Sequence, residues 1–239
     1  MSGHSKWNNI KRTKEKTDAQ KAKIFTKLGR EILVAIKTGG ADPETNSRLK
    51  DAIAKAKQNN MPNDNINRML KKHSGENDNV DYEEIIYEGY GVGGVAVIVK
   101  CLTDNRNRTA GDVRHAFDKH GGSLGTPGSV MFMFDKKGVI LVDKNADFDA
   151  LFELVLENDG DNLEQEDEGF VITTKPECFS KVLAALEKAN YNVLSSSIDY
   201  VCATTIALDE NKRTSFEKMI DMLEELDDVQ EVYHNAELD

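Results

Sequence analysis

The chain has no uninterrupted apolar run approaching about 18 residues, so no segment reads as a membrane-spanning helix and a membrane is not expected among its partners. It has only three cysteines, Cys101, Cys178 and Cys202. An odd number at wide spacing gives neither a disulfide framework nor a paired metal motif, and fits a reducing compartment. All three are expected as buried, small apolar side chains. The basic opening MSGHSKWNNIKRTKEK is followed by no apolar signal core and no small-residue cleavage site, so the expected location is the cytoplasm. What remains is ordinary for a water-soluble chain: 239 residues, 39% hydrophobic and 31% charged, with a mean hydropathy of -0.53. That length suits two or three small domains.

Enzyme motifs are missing as well. The segment Gly121-Gly122-Ser123-Leu124-Gly125-Thr126-Pro127-Gly128-Ser129 is rich in glycine but lacks the lysine and hydroxyl that a phosphate loop places just before a helix, and reads as a turn between helix and strand. His115 and His120 are five apart, not the four that would align two zinc ligands on a helix. No nucleophile elbow is present. The acidic clusters Glu164, Glu166, Asp167 and Glu168, and Asp221, Glu224, Glu225, Asp227 and Asp228, read as solvated surface. No catalytic residue, cofactor, metal or small-molecule substrate is therefore expected.

Charge is divided along the chain. The formal net charge is -11, but residues 1–79 carry 17 Lys and Arg against 9 Asp and Glu, whereas residues 80–239 carry 14 against 33. The first part is thus +8 and the rest -19. A polyanion would meet the amino-terminal part first. The competing explanation is a solvated lysine-rich face.

Periodicity supplies the architecture. Phe25, Leu28, Ile32 and Ile36 predict a helix over 18–38 that ends at Gly39-Gly40, with Lys23, Lys27 and Arg30 on its opposite face. Asp42-Pro43-Glu44 predicts the start of a second helix, and a third begins near Asn63. Residues 74–79 read as a linker. Beyond it, strands are predicted at 84–90, 94–102, 129–134, 138–142, near Leu163, and at 170–174, 193–199, 202–208 and 229–233. Helices are predicted at 106–120, 147–157, 176–189 and 213–226. The expected fold class is α+β with three domains: a basic helical bundle over 1–79, and two ferredoxin-like βαββαβ modules, one inserted in the other. The outer module would comprise 80–135 plus 201–239, and the inserted one 136–200.

Two basic constellations stand out. His4, Lys6, Trp7, Lys11, Arg12 and Lys14 place the single tryptophan among cations, a mixture suited to phosphate pairing with base stacking. Trp7 could equally anchor the arm to the bundle. Asp104-Asn105-Arg106-Asn107-Arg108-Thr109 sits at a strand-to-helix junction, where free backbone N–H groups together with Arg106 and Arg108 could meet one anion. Those arginines could instead be exposed or paired with nearby acids.

The segments GHSKW and NIK, IFTKLGREI, GGADP, AKQNNMP followed by DNI, YEGYG, LTDNRNRT with VRHAF, GGSLG with GSV, and DVQEVYH together resemble the YebC/PmpR family along nearly the whole chain. Val92 departs from the pattern, standing where the family usually has proline. The resemblance implies a three-domain molecule. Many members are described as probable DNA-binding transcriptional regulators, mitochondrial relatives are translational activators, and some bacterial members are linked to stalled ribosomes. Because almost nothing precedes GHSKW, it also implies a bacterial-type cytoplasmic member. The expected function is a non-enzymatic, nucleic-acid-binding regulator of gene expression. DNA is the favoured target, and ribosomal RNA or the ribosome the alternative. A protein-interaction adaptor is the rival from another class.

Overall fold

Three helices open the computed structural model, which describes residues 18–73 and 81–238. Helix α1 (Asp18–Gly39) buries Leu28, Ile32, Ala35 and Ile36 against Leu49, Ala52 and Ala56 of α2 (Ser47–Gln58) and Ile66 of α3 (Asn63–His73). Helix α2 starts four residues later than Pro43 suggested, because Asn46 does three jobs. Its Oδ1 accepts from the Leu49 amide at 3.1 Å, while its Nδ2 donates to the Ala35 and Gly40 carbonyls at 2.7 and 2.8 Å. It therefore caps one helix and ties carbonyls at the end of another to it. Asp42 instead organises a turn, its carboxylate accepting from the Glu44 amide.

The chain then forms β1 (Glu83–Tyr90) and β2 (Ala96–Thr103), paired antiparallel from Glu83↔Thr103 to Tyr90↔Ala96. Between them Val92 opens a 3₁₀ turn and packs on the core, and Gly93 and Gly94 take φ of 79° and 80°. The glycines set this turn, so it forms without the proline that position 92 lacks. Helix α4 (Arg106–Lys119) follows, then the short strand β3 (Ser123–Leu124).

Next comes the module that interrupts this sheet. Its elements are β4 (Phe134–Asp143), α5 (Phe148–Glu157), β5 (Gly160–Glu166), β6 (Gly169–Thr174), α6 (Phe179–Lys188) and β7 (Val193–Cys202). This is the βαββαβ order read from the sequence. The sheet order is β5-β6-β4-β7, all antiparallel, and its helices bury Leu151, Val155, Val182 and Leu186 against Ile140, Val142, Phe170 and Ile172. Strands β4 and β7 pair along their whole length, from Phe134↔Cys202 to Val142↔Val193, so the chain enters and leaves the module at neighbouring points.

After β8 (Ile206–Ala207), α7 (Glu210–Glu225), β9 (Val229–His234) and β10 (Ala236–Glu237) complete the chain. The outer sheet has the order β3-β1-β2-β9. Like its inserted counterpart, it sets the strand entering its first helix (β2) beside the strand leaving its second (β9). Its connectivity differs from the expectation. Residues 131–133 form a 3₁₀ turn rather than a strand, and 206–207 pairs with 236–237 in a separate parallel ribbon, so β1 and the short β3 take the places expected of those segments. The reason lies in Glu88: this buried carboxylate accepts from the amides of Gly128, Val130 and Met131 at 2.6, 2.9 and 2.7 Å, which holds the segment in a loop. A cluster of Ala96, Ile98, Val130, Phe134 and Cys202 joins the two sheets, with Tyr200 and Tyr233 edge to face at 5.4 Å. Cys101 and Cys202 are buried as expected, while Cys178 is half-buried at the start of α6.

Candidate nucleic-acid interface

Lys23, Lys27 and Arg30 fall at helical spacing on one face of α1. Amphipathicity identified this face correctly as pointing away from its own bundle, but it does not face open solvent. It lies across the carboxyl-terminal end of α7. Lys23 Nζ donates to the Glu225 carbonyl at 3.3 Å, Lys27 Nζ to the Glu224 carbonyl at 2.6 Å, and Arg30 to the Asp227 carbonyl at 2.8 Å. The last carbonyls of a helix have no intrahelical partner and carry partial negative charge. Helix α7 has no basic residue in its own last turn, and α1 supplies the cations from another part of the chain. The periodicity of α1 carries no trace of this, because the covering surface comes from a segment about 200 residues away.

Asp228 is the centre of the junction. Its Oδ1 accepts from Arg30 at 2.8 Å and its Oδ2 from Arg108 at 2.7 Å, with the Thr103 and Thr109 hydroxyls 3.1 and 2.8 Å from Oδ2. Burial pushes this carboxyl up, but the bonds from Arg108, Thr109, Arg30 and Thr103 outweigh it and hold the pKa below its ordinary value. Arg30 also lies 5.4 Å from the centre of the Tyr82 ring. The strand-to-helix junction read from the sequence therefore does gather an anion, and that anion belongs to the protein. Asn105 caps α4 by accepting from the Arg108 amide at 3.1 Å. Arg108 also pairs with Asp104 at 2.8 Å. Arg106 diverges, exposed and 3.3 Å from Glu83, so the two arginines do not converge.

A second junction was not singled out in the sequence. Lys55 of α2 lies 3.1 Å from Glu31 of α1 and 2.5 Å from Glu231 of β9, whose other oxygen accepts from the Tyr233 hydroxyl at 2.5 Å and lies 3.8 Å from Lys100. Burial raises the Glu231 carboxyl, but Lys55 and then Lys100 overcome this and bring it down to about 2. Arg48–Glu84 and Lys37–Asp81 pairs extend the same seam. The available signal was Glu231, an acid between the apolar Val229 and Val232 in DVQEVYH.

The amino-terminal set His4, Lys6, Trp7, Lys11, Arg12 and Lys14 lies outside the described residues. The glycine-rich segment contributes one amide, that of Gly128, to a cradle completed by Val130 and Met131, and the anion it holds is again an internal one, Glu88. Burial raises the Glu88 carboxyl, and those three amides more than compensate, leaving its pKa lowered. Among the described residues, no group of three or more His, Cys, Asp and Glu is placed to hold a metal ion, and no helix is long and apolar enough to cross a membrane.

Comparison with known proteins covers both parts of the chain. Residues 5–76 match the TACO1/YebC protein N-terminal domain and residues 82–236 the TACO1/YebC second and third domain. A protein of Acetivibrio thermocellus named "probable transcriptional regulatory protein" is 58% identical over 238 residues, covering 98% of this chain and 98% of that protein. One of Thermoanaerobacter pseudethanolicus with the same designation is 53% identical over 241 residues, covering 100% and 98%. The crystal structure of a conserved hypothetical protein from Aquifex aeolicus is similar with a TM-score of 0.82 and 45% identity, covering 93% of this chain and 92% of that one.

Proposed function

This chain belongs to the TACO1/YebC family, and from that premise we propose that it is a DNA-binding transcriptional regulator, cytoplasmic and without catalytic activity. The observation that carries the reading is the segregation of charge, +8 over residues 1–79 against -19 beyond, in a chain whose full-length relatives are named probable transcriptional regulatory proteins. Phosphate neutralisation by lysine and arginine supplies most non-specific affinity for nucleic acid. In this reading His4, Lys6, Trp7, Lys11, Arg12 and Lys14 engage first, with cations on phosphate and the indole available for stacking. Lys23, Lys27 and Arg30 then exchange a row of carbonyl oxygens and one carboxylate for a row of phosphate oxygens. Arg106, exposed at the rim, adds a local phosphate interaction. Arg108 stays bound to Asp228 and acts by positioning the junction.

A salt titration tests this. On duplex DNA, removing one phosphate-neutralising cation lowers the slope of log affinity against log salt by about 0.9, so Lys23→Ala, Lys27→Ala and Arg30→Ala together should flatten it by up to about 3. Changing Lys6, Lys11, Arg12 and Lys14 to alanine should flatten it further. Unchanged slopes for both variants on DNA would defeat the proposal. A slope that flattens only on purified ribosomes would transfer the function to translation.

A further inference from the structure

Helix α5 of the inserted module is apolar on two sides. Leu151 and Val155 are buried in the module core, yet Phe148, Phe152 and Leu156, spaced four apart, remain 41%, 46% and 64% exposed. A soluble helix ordinarily turns its second face polar. The stripe is also held in place: the Phe148 and Phe152 rings stack at 6.0 Å with 12° between their planes, and Phe148 lies 6.2 Å from the buried Phe170. One residue further round the helix, Asp149, Glu153 and Glu157 form a parallel exposed row. The acidity extends through the adjoining edge strand β5 and its turn. Residues 145–174 contain ten Asp and Glu and no Lys or Arg, and of the ten Asp159 and Asp161 pair with Lys181 and Lys137 from outside the segment.

This charge decides among occupants. A nucleic acid or an anionic membrane surface would be repelled by so concentrated a negative field. A second copy of this chain would bring two such surfaces face to face across a two-fold axis. We propose that the α5 face receives a cationic amphipathic segment of another protein. Its apolar side chains would seat on Phe148, Phe152 and Leu156, and its lysines and arginines would meet Asp149, Glu153 and Glu157. Helices that dock in this way present anchors three or four residues apart, which matches the spacing offered here. The α5 stripe is about 12 Å long, enough to seat two to three turns of a partner helix. This surface is separate from the basic face of α1, so its success or failure does not bear on DNA binding.

The probe is a labelled synthetic peptide of about 16 residues, with leucine at i, i+4, i+7 and i+11 and lysine on the remaining face. It is titrated into the full-length protein by fluorescence anisotropy. The control has the same composition with its leucines scattered round the helix. The amphipathic peptide should bind about tenfold or more tightly than the control, and Phe152→Ser with Leu156→Ser should lose that advantage, since central apolar anchors carry most of such an interface. Asp149→Asn, Glu153→Gln and Glu157→Gln together should weaken binding and reduce its salt dependence. Because all five side chains are exposed, circular dichroism should show the variants folded. Equal binding of both peptides, or an unaffected Phe152→Ser/Leu156→Ser variant, would overturn the proposal. So would self-association of the wild type that these substitutions abolish, which would assign the face to a second copy.

Discussion

Asp228 gathers two arginines and two hydroxyls around a carboxylate whose side chain is 8% exposed. Replacing it with asparagine leaves Arg30 and Arg108 without their shared anion, at an expected cost of about 1–3 kcal/mol. The pH dependence follows from the direction of its shift. With the folded-state pKa below the ordinary 3.8, the stabilisation is complete above that value and is lost as pH falls through the lowered one. Glu231 behaves alike, losing its contribution between 4.5 and about 2. Thermal unfolding of wild type and Asp228→Asn as a function of pH should therefore show a gap at neutral pH that closes below about pH 4. A gap of constant size across that range would mean the carboxylate is not the source of the stability. None of this was legible residue by residue. Asp228 read as a member of an acidic surface and Glu231 was not singled out, because the partners that desolvate and pair them lie mostly more than 100 positions away in sequence.

Helix α2 shows where local signals mislead. Asp-Pro-Glu is a good helix opening, but the residue that wins is Asn46, whose amide also closes the end of α1. Asn46→Ala should cost about 2 kcal/mol, beyond an ordinary cap, because it removes the two side-chain bonds to the Ala35 and Gly40 carbonyls together with the cap. Asn46→Asp should recover only the cap. Chemical denaturation of the three proteins tests the order. Elements with a long periodic stripe were readable to within a few residues: α1, α3, α4 and the strands and helices of the inserted module. The segments 129–134 and 202–208 were not, since their β-branched and aromatic content is equally compatible with a loop packed between two sheets. For the first of them the deciding group, Glu88, sits in a different strand.

For the molecule as a whole, the nesting of one βαββαβ module in another was suggested by element order, whereas the burial of the basic α1 face was not, because charge counts do not report which acids lie opposite. We propose that residues 136–200 fold as a separate unit. Asp135 and Val201 are direct partners across β4 and β7, so a short Gly/Ser linker should bridge them without straining the outer sheet. The shortened protein should stay soluble and unfold cooperatively, with stability reduced by the loss of Tyr200 from its edge-to-face pair with Tyr233. Loss of a cooperative transition would count against separate folding units.

The seat of α1 on α7 also has a consequence for binding equilibria. The anions that hold Lys23, Lys27 and Arg30 are carried on the same chain, so their association is unimolecular and independent of protein concentration. Tethered groups of this kind compete at effective concentrations in the millimolar range. A free polyanion drawing on the same cations must therefore displace an ever-present internal competitor. Its apparent affinity is the intrinsic one multiplied by the fraction of molecules in which the face is open. Ionic strength enters twice and with opposite sign: it loosens the internal seat while weakening the external bond. The plot of log affinity against log salt then flattens at its low-salt end, where an untethered basic helix would show a straight line.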